Sequence, residues 1–157
     1  MRMLLSGGLM VFAGVVSPMA ISPQQAPRAP QADYRTDPRA EILRRFFDRA
    51  DCPAAQYTYA FLEAADQYAL DWRLLPSISF VESTGGKAAP NHNLFGWQSG
   101  RAQFSSAAAA IQAVGYRLSH SALYRDKSLD TVLATYNPVA DYAQKVKSVM
   151  RRIAPNQ

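Results

Sequence analysis

LLPSISFVESTGG, residues 74–86, decides how this chain is read. Leu74, Leu75, Ile78 and Val81 recur at helical spacing, and Gly85 and Gly86 follow as a stop. Glu82 stands four residues after Ile78 and seven after Leu75. It therefore lies at the edge of the apolar stripe and in the last helical turn. Desolvation and the partial negative charge of the terminal carbonyls both disfavour its charged form, so both are expected to push its pKa up. Arg73 is nine residues back and Lys87 five on, which makes neither a good intrahelical partner. A carboxyl kept partly protonated near neutral pH is what a general acid for glycoside cleavage requires. The plain alternative is a glutamate paired with a base across the core.

Helical signals surround this stretch. RAEILRRFFDRA (39–50) sets Ile42, Leu43, Phe46 and Phe47 on one face. Pro53 opens a second helix reaching about Leu70, with Tyr57, Phe61, Ala64, Ala65 and Tyr68 as its stripe. Asp71 is placed to cap the helix that carries Glu82. Residues 87–104, KAAPNHNLFGWQSGRAQF, are punctuated by Pro, Asn and Gly around Leu94–Trp97. They read as a loop or a short β-hairpin turning at Ser99 and Gly100. Ser105 or Ser106 caps the next helix, and Ser128 caps LDTVLATY. A last helix, from about Val139 to Ile153, turns Tyr142, Val146, Val149 and Met150 inward. The fold class is mainly α, with one irregular insert after the Glu82 helix.

The chain has 157 residues, 48% of them apolar and 18% charged, which suits one globular domain. The net charge of +5 is uneven. Residues 53–100 carry Arg73 and Lys87 against Glu63, Asp66, Asp71 and Glu82, whereas from Arg101 onward eight Lys or Arg face Asp126, Asp130 and Asp141. A basic surface suits an anionic polymer or a plain solvated face. No nucleic-acid motif is present, so nucleic acid is not an expected partner. Residues 1–20, MRMLLSGGLMVFAGVVSPMA, have the layout of a secretory signal: one arginine, thirteen uncharged residues from Leu4 to Val16, then small residues. Pro18 spoils cleavage after Ala20, so a membrane tether through residues 4–16 stays open; export is expected either way. Residues 21–38 hold Pro23, Pro27, Pro30 and Pro38 and read as a linker, which leaves 39–157 as the domain. Cys52 is the single cysteine and reads as a structural thiol. Neither His92 nor His120 has a second ligand at helical spacing, so no metal site and no cofactor are expected.

LLPSISFVESTGG, then NHNLFGW (91–97), then ATYNPVADYAQKV (134–146), together resemble the bacterial N-acetylglucosaminidase and lytic transglycosylase branch of the lysozyme superfamily. The order and spacing agree over about residues 54–153; the single motifs are weak and the set of three is moderately specific. The resemblance implies a lysozyme-like helical fold with a glycan cleft, and peptidoglycan as the partner. It implies that Glu82 protonates the glycosidic oxygen of a β-1,4 bond between N-acetylglucosamine and N-acetylmuramic acid. It implies Tyr136 beside Glu82, placing it or binding an N-acetyl group, and substrate contacts from Ser83, Asn93, Phe95, Trp97 and Asn137. Each has a plainer reading: Tyr136-Asn137-Pro138 as a helix stop, Phe95 and Trp97 as core, Ser83 as the start of a C-terminal turn. Two departures stand out. Residues 83–125 contain no Asp or Glu, so a second carboxylate would have to be Asp126, Asp130, Asp141 or an N-terminal acid. That favours anhydro-forming cleavage assisted by the substrate. The Gly-Leu-Met-Gln stretch usual in the transglycosylases is missing, which favours the glucosaminidases. A glycan-binding scaffold without catalysis, or a tethered structural protein with Glu82 buried and paired, is the competing reading.

Overall fold

A computed structural model describes residues 33–155. The expected signal segment and most of the linker lie outside the described residues. Among those described, six α-helices follow one another: α1 Pro38–Arg49, α2 Thr58–Gln67, α3 Leu74–Ser83, α4 Ala107–His120, α5 Leu129–Tyr136 and α6 Tyr142–Ile153. None of these helices is long and apolar enough to cross a membrane.

Helix α3 is the centre of the structure. Leu74 to Ser79 are all buried, the two serines included, as suits a helix at the middle of the core. It packs chiefly on α6, while α2 packs on α4 and α5 on α6. The Asp71 carboxylate accepts from Arg73 N at 2.9 Å in the turn that opens α3, the bond expected of a cap, although the helix itself begins at Leu74. It also pairs with the Arg73 side chain at 2.6 Å, and Arg73 reaches on to the Ala154 carbonyl at 2.9 Å, which ties the start of α3 to the end of α6. The expected inward face of α6, Tyr142, Val146, Val149 and Met150, is buried. Ser106 and Ser128 cap α4 and α5, accepting from Ala109 N and Thr131 N. On α1 the core residues are Ala40, Leu43, Phe46 and Phe47, whereas Ile42 is exposed: the stripe is one position narrower than the sequence suggested.

Four local expectations change. The run from Pro53 splits into a 3₁₀ turn, Pro53–Tyr57, and α2; the Thr58 hydroxyl bonds the Ala55 carbonyl at the joint. The last helix begins at Tyr142, because residues 137–141 form a turn in which Asn137 Oδ1 accepts from Val139 N. No strand forms in residues 87–104, so the insert is a loop and not a hairpin. Asn91, His92, Gly96, Gln98, Ser99 and Gly100 all have left-handed backbone, which coils the segment instead of extending it. The linker also ends earlier than expected. Tyr34–Thr36 forms a 3₁₀ turn on the domain, and Tyr34 and Arg39 both reach Asp66 of α2.

Candidate functional site

The end of α3 delivers Glu82. Thr84, Gly85 and Gly86 take left-handed backbone and stop the helix directly after it. Gly85 is required by packing as well: a Cβ there would lie 2.9 Å from Cys52 Cβ. Cys52 is buried and unbridged, a packing residue whose thiol burial pushes up in pKa.

The loop of residues 87–104 then folds back over Glu82, pinned from beneath. Ser83 Oγ accepts from Gly86 N at 3.0 Å and lies 2.8 Å from the Leu94 carbonyl and 3.0 Å from that of Ser79. The Asn93 side chain clasps both polar groups of the Trp97 backbone, Oδ1 accepting from N at 2.9 Å and Nδ2 donating to O at 3.0 Å. Leu94 and Phe95 are buried beneath the loop. Ser83, Asn93 and Phe95 therefore spend their side chains inside the protein. They hold the site from behind and do not face its cavity.

That cavity, of about 540 Å³, is bounded by Glu82, Gly96, Trp97, Arg117, Tyr136 and Asn137, with Gln98, Ser99, Tyr124 and Pro138 completing the rim. Gly96 lies directly against the carboxylate: a Cβ at this left-handed position (φ +60°) would stand 2.5 Å from Glu82 Oε2. Tyr136 comes from the end of α5, and its hydroxyl donates to the Phe95 carbonyl at 2.6 Å rather than to Glu82. Its ring meets Trp97 edge-on, with centroids 5.4 Å apart, and stacks on Tyr142 at 6.0 Å. Burial, and then the charge of Glu82, hold the Tyr136 and Tyr142 phenols far above their ordinary pKa, so both stay neutral. The Tyr142 hydroxyl is buried and has Glu82 as its side-chain partner, outside strict hydrogen-bond geometry.

Glu82 forms no ion pair among the described residues, which removes the reading as a glutamate paired across the core. It is also the one carboxylate among the residues bounding the cavity. Asp126, Asp130 and Asp141 stand elsewhere on the surface, beside Arg125, Lys147 and Lys145 respectively. Among the described residues no cluster of His, Cys, Asp and Glu suits a metal. The arrangement thus offers one half-buried carboxyl, neutral phenols, and a cleft walled by a tryptophan and a tyrosine.

No family model matches the chain, and neither a curated protein nor a solved structure matches it.

Sequence reasoning missed Gly96, Arg117 and Tyr124 as parts of this cavity, and Tyr142 was read only as core. Arg117 carried a usable signal. Ala113, Tyr116, Arg117 and His120 repeat at i, i+3, i+4 and i+7, a second stripe on α4 beside the buried one of Ala110, Ile111, Val114 and Leu118. Tyr124 carried none, because it sits in the non-periodic turn between α4 and α5.

Proposed function

We propose that this chain is an exported enzyme that cuts the β-1,4-linked glycan strand of peptidoglycan, with Glu82 as general acid. The observation that carries the reading is the setting of Glu82: a carboxyl with no ion pair among the described residues, at the end of a buried helix and facing a cleft with aromatic walls. Sugar rings pack their C–H faces on such walls, and Trp97 and Tyr136 supply them.

The chemistry follows from the donor set. Protonated Glu82 gives its proton to the glycosidic oxygen, the C1–O bond breaks, and the leaving strand departs as an alcohol. With no second carboxylate in the cavity, the carbonyl oxygen of the substrate's own N-acetyl group bonds to C1. The sugar's 6-hydroxyl or a water then displaces it at C1, and its proton returns to the Glu82 carboxylate. Tyr136 and Tyr142 stay protonated beside that carboxylate and add no competing negative charge. Tyr136 also fixes the Phe95 carbonyl, and so the position of Gly96.

The test is to incubate purified protein with peptidoglycan and weigh the soluble fragments by mass spectrometry, with Glu82→Gln alongside. Release by the wild type and not by the variant supports the reading. Binding without release by either supports the scaffold alternative and removes the enzymatic one.

A further inference from the structure

A second cavity, of about 890 Å³, opens beside the first. The two share Trp97, Gln98 and Arg117, so a ligand lying in one meets the other across that ridge. The second cavity is bounded by the far stripe of α4, including Gln112, Tyr116 and His120, and by the end of the loop at Phe104. Tyr116 and His120 stack with centroids 4.1 Å apart and planes 16° from parallel. Tyr68 meets both rings edge-on at 6.0 Å. His120 Nδ1 lies 2.9 Å from the Tyr116 carbonyl and 2.7 Å from Ser119 Oγ, which locks the ring in place. Yet Tyr116 remains 55% exposed. A rigid aromatic pair left open to solvent beside a cavity is a surface for packing a ligand.

The charge selects the ligand. No Asp or Glu bounds this cavity. Arg117 stands at its mouth with its guanidinium 5.5 Å from the centre of the Trp97 ring, and it forms no ion pair among the described residues. An arginine held over an indole, with no side-chain hydrogen bond or ion pair among the described residues, suits bidentate capture of a carboxylate. N-acetylglucosamine is neutral, and the lactyl carboxyl of N-acetylmuramic acid is tied up as an amide wherever a peptide stem is attached, so on a stem-bearing strand the counter-charge for Arg117 has to come from the peptide.

We propose that this second cavity binds a carboxylate-bearing peptide branch of the glycan, with Arg117 taking the carboxylate and the Tyr116–His120 pair packing the aliphatic part. This rests on the glycan-cleaving reading of the first cavity. A strand seated at Glu82 would then send its peptide stem across the Trp97 ridge. Arg117 is in these terms a specificity residue, sorting peptide-bearing strands from stripped ones.

Two measurements on the full chain test it. The first compares kcat/KM on peptidoglycan that keeps its stems and on strands stripped of them by an amidase, the freed lactyl carboxylates of the stripped strands being capped as methylamides. Arg117→Gln is expected to lower the ratio of the two values about tenfold, as the loss of one charge-assisted contact should. Tyr116→Ala, a change at an exposed position, is expected to lower the rate on stem-bearing strands and to leave the stripped strands unchanged. An equal fall on both substrates in both variants overturns the proposal. The second measurement titrates free alanyl-γ-glutamyl-diaminopimelate into Glu82→Gln and follows the Trp97 and Tyr116 side chains by NMR. Saturable shifts that Arg117→Gln abolishes and Arg117→Lys partly restores are expected; no shifts, or shifts indifferent to Arg117, overturn it. Peptide binding without any cleavage would sink the enzymatic reading and leave this one standing. Cleavage without peptide binding or stem preference would do the reverse.

Discussion

Glu82 and the glycine opposite it depend on each other. Glu82→Gln keeps the volume and loses the transferable proton, so turnover on peptidoglycan is expected to fall roughly a hundred-fold or more. Thermal melting should barely move, since no ion pair is broken; near-native clearance by this variant would remove Glu82 as the acid. Gly96→Ala puts a methyl 2.5 Å from Glu82 Oε2 and forces a side chain into left-handed backbone. It should cost about 1–2 kcal/mol of stability from the backbone alone, and lower kcat more than it raises KM. The two buried phenols should respond differently. Tyr136→Phe breaks a 2.6 Å bond and strands the Phe95 carbonyl, a loss of about 1 kcal/mol in chemical denaturation. Tyr142→Phe deletes a hydroxyl whose partner, Glu82, is half-exposed and keeps access to water, so the loss of stability should be smaller. Equal losses at both positions would contradict this difference.

Among the elements, the turn at Tyr34–Thr36 and the start of α1 are fastened to α2 by one ionic cluster. Arg39 pairs with Asp37 at 2.6 Å and with Asp66 at 2.7 Å, and Tyr34 donates to Asp66 at 3.1 Å. The hydrogen bonds from Arg39 hold both carboxyls below the usual carboxylate range. A lowered folded pKa stabilises the fold above the unfolded value of about 4, and that contribution is lost as pH falls through the folded pKa. Stability should therefore drop on acidification below about pH 4, and Arg39→Ala should flatten that part of the profile in thermal melts at stepped pH. Tyr34 works at the other end of the scale. Burial, and then its bond to Asp66, push its phenol up to about 12, so its contribution is present below the unfolded value of about 10 and fades as pH rises through about 12. Ser106 caps α4, the helix that presents Arg117, Tyr116 and His120; Ser106→Ala should cost about 1 kcal/mol by loss of its bond to Ala109 N.

For the whole molecule the product is the decisive measurement. With one carboxylate in the cavity, neither the spacing of an inverting pair nor that of a retaining pair can be met there. Fragments ending in anhydro-muramic acid, lighter by one water than reducing ends, are the expected outcome in mass spectra. Reducing-end glucosamine alone would overturn the anhydro-forming preference and favour the glucosaminidase-type reaction. Asp126, Asp130 and Asp141 would then be the residues to change next.

Much of this was legible in the chain because it is local. Ser106 and Ser128 cap helices by bonds to residues three positions on, and the burial of Val146, Val149 and Met150 follows from their spacing alone. The place of Glu82 at the end of a buried helix was equally readable, since the glycines that stop the helix follow it directly. Contacts between distant segments decided the rest. Whether residues 87–104 extend or coil depends on Ser83 and the buried Leu94 pinning the loop onto α3, and no pattern inside the loop carries that information. The same pinning turned Ser83, Asn93 and Phe95 inward and brought Gly96 against a carboxylate fourteen residues earlier. Arg117 joined the cavity because α4 packs across α2 with its second stripe facing the loop. The sequence by itself determined most of the helices, their caps and the place of Glu82; only the tertiary structure decided what surrounds that carboxyl, because a cavity is made by residues that are neighbours in space and not along the chain.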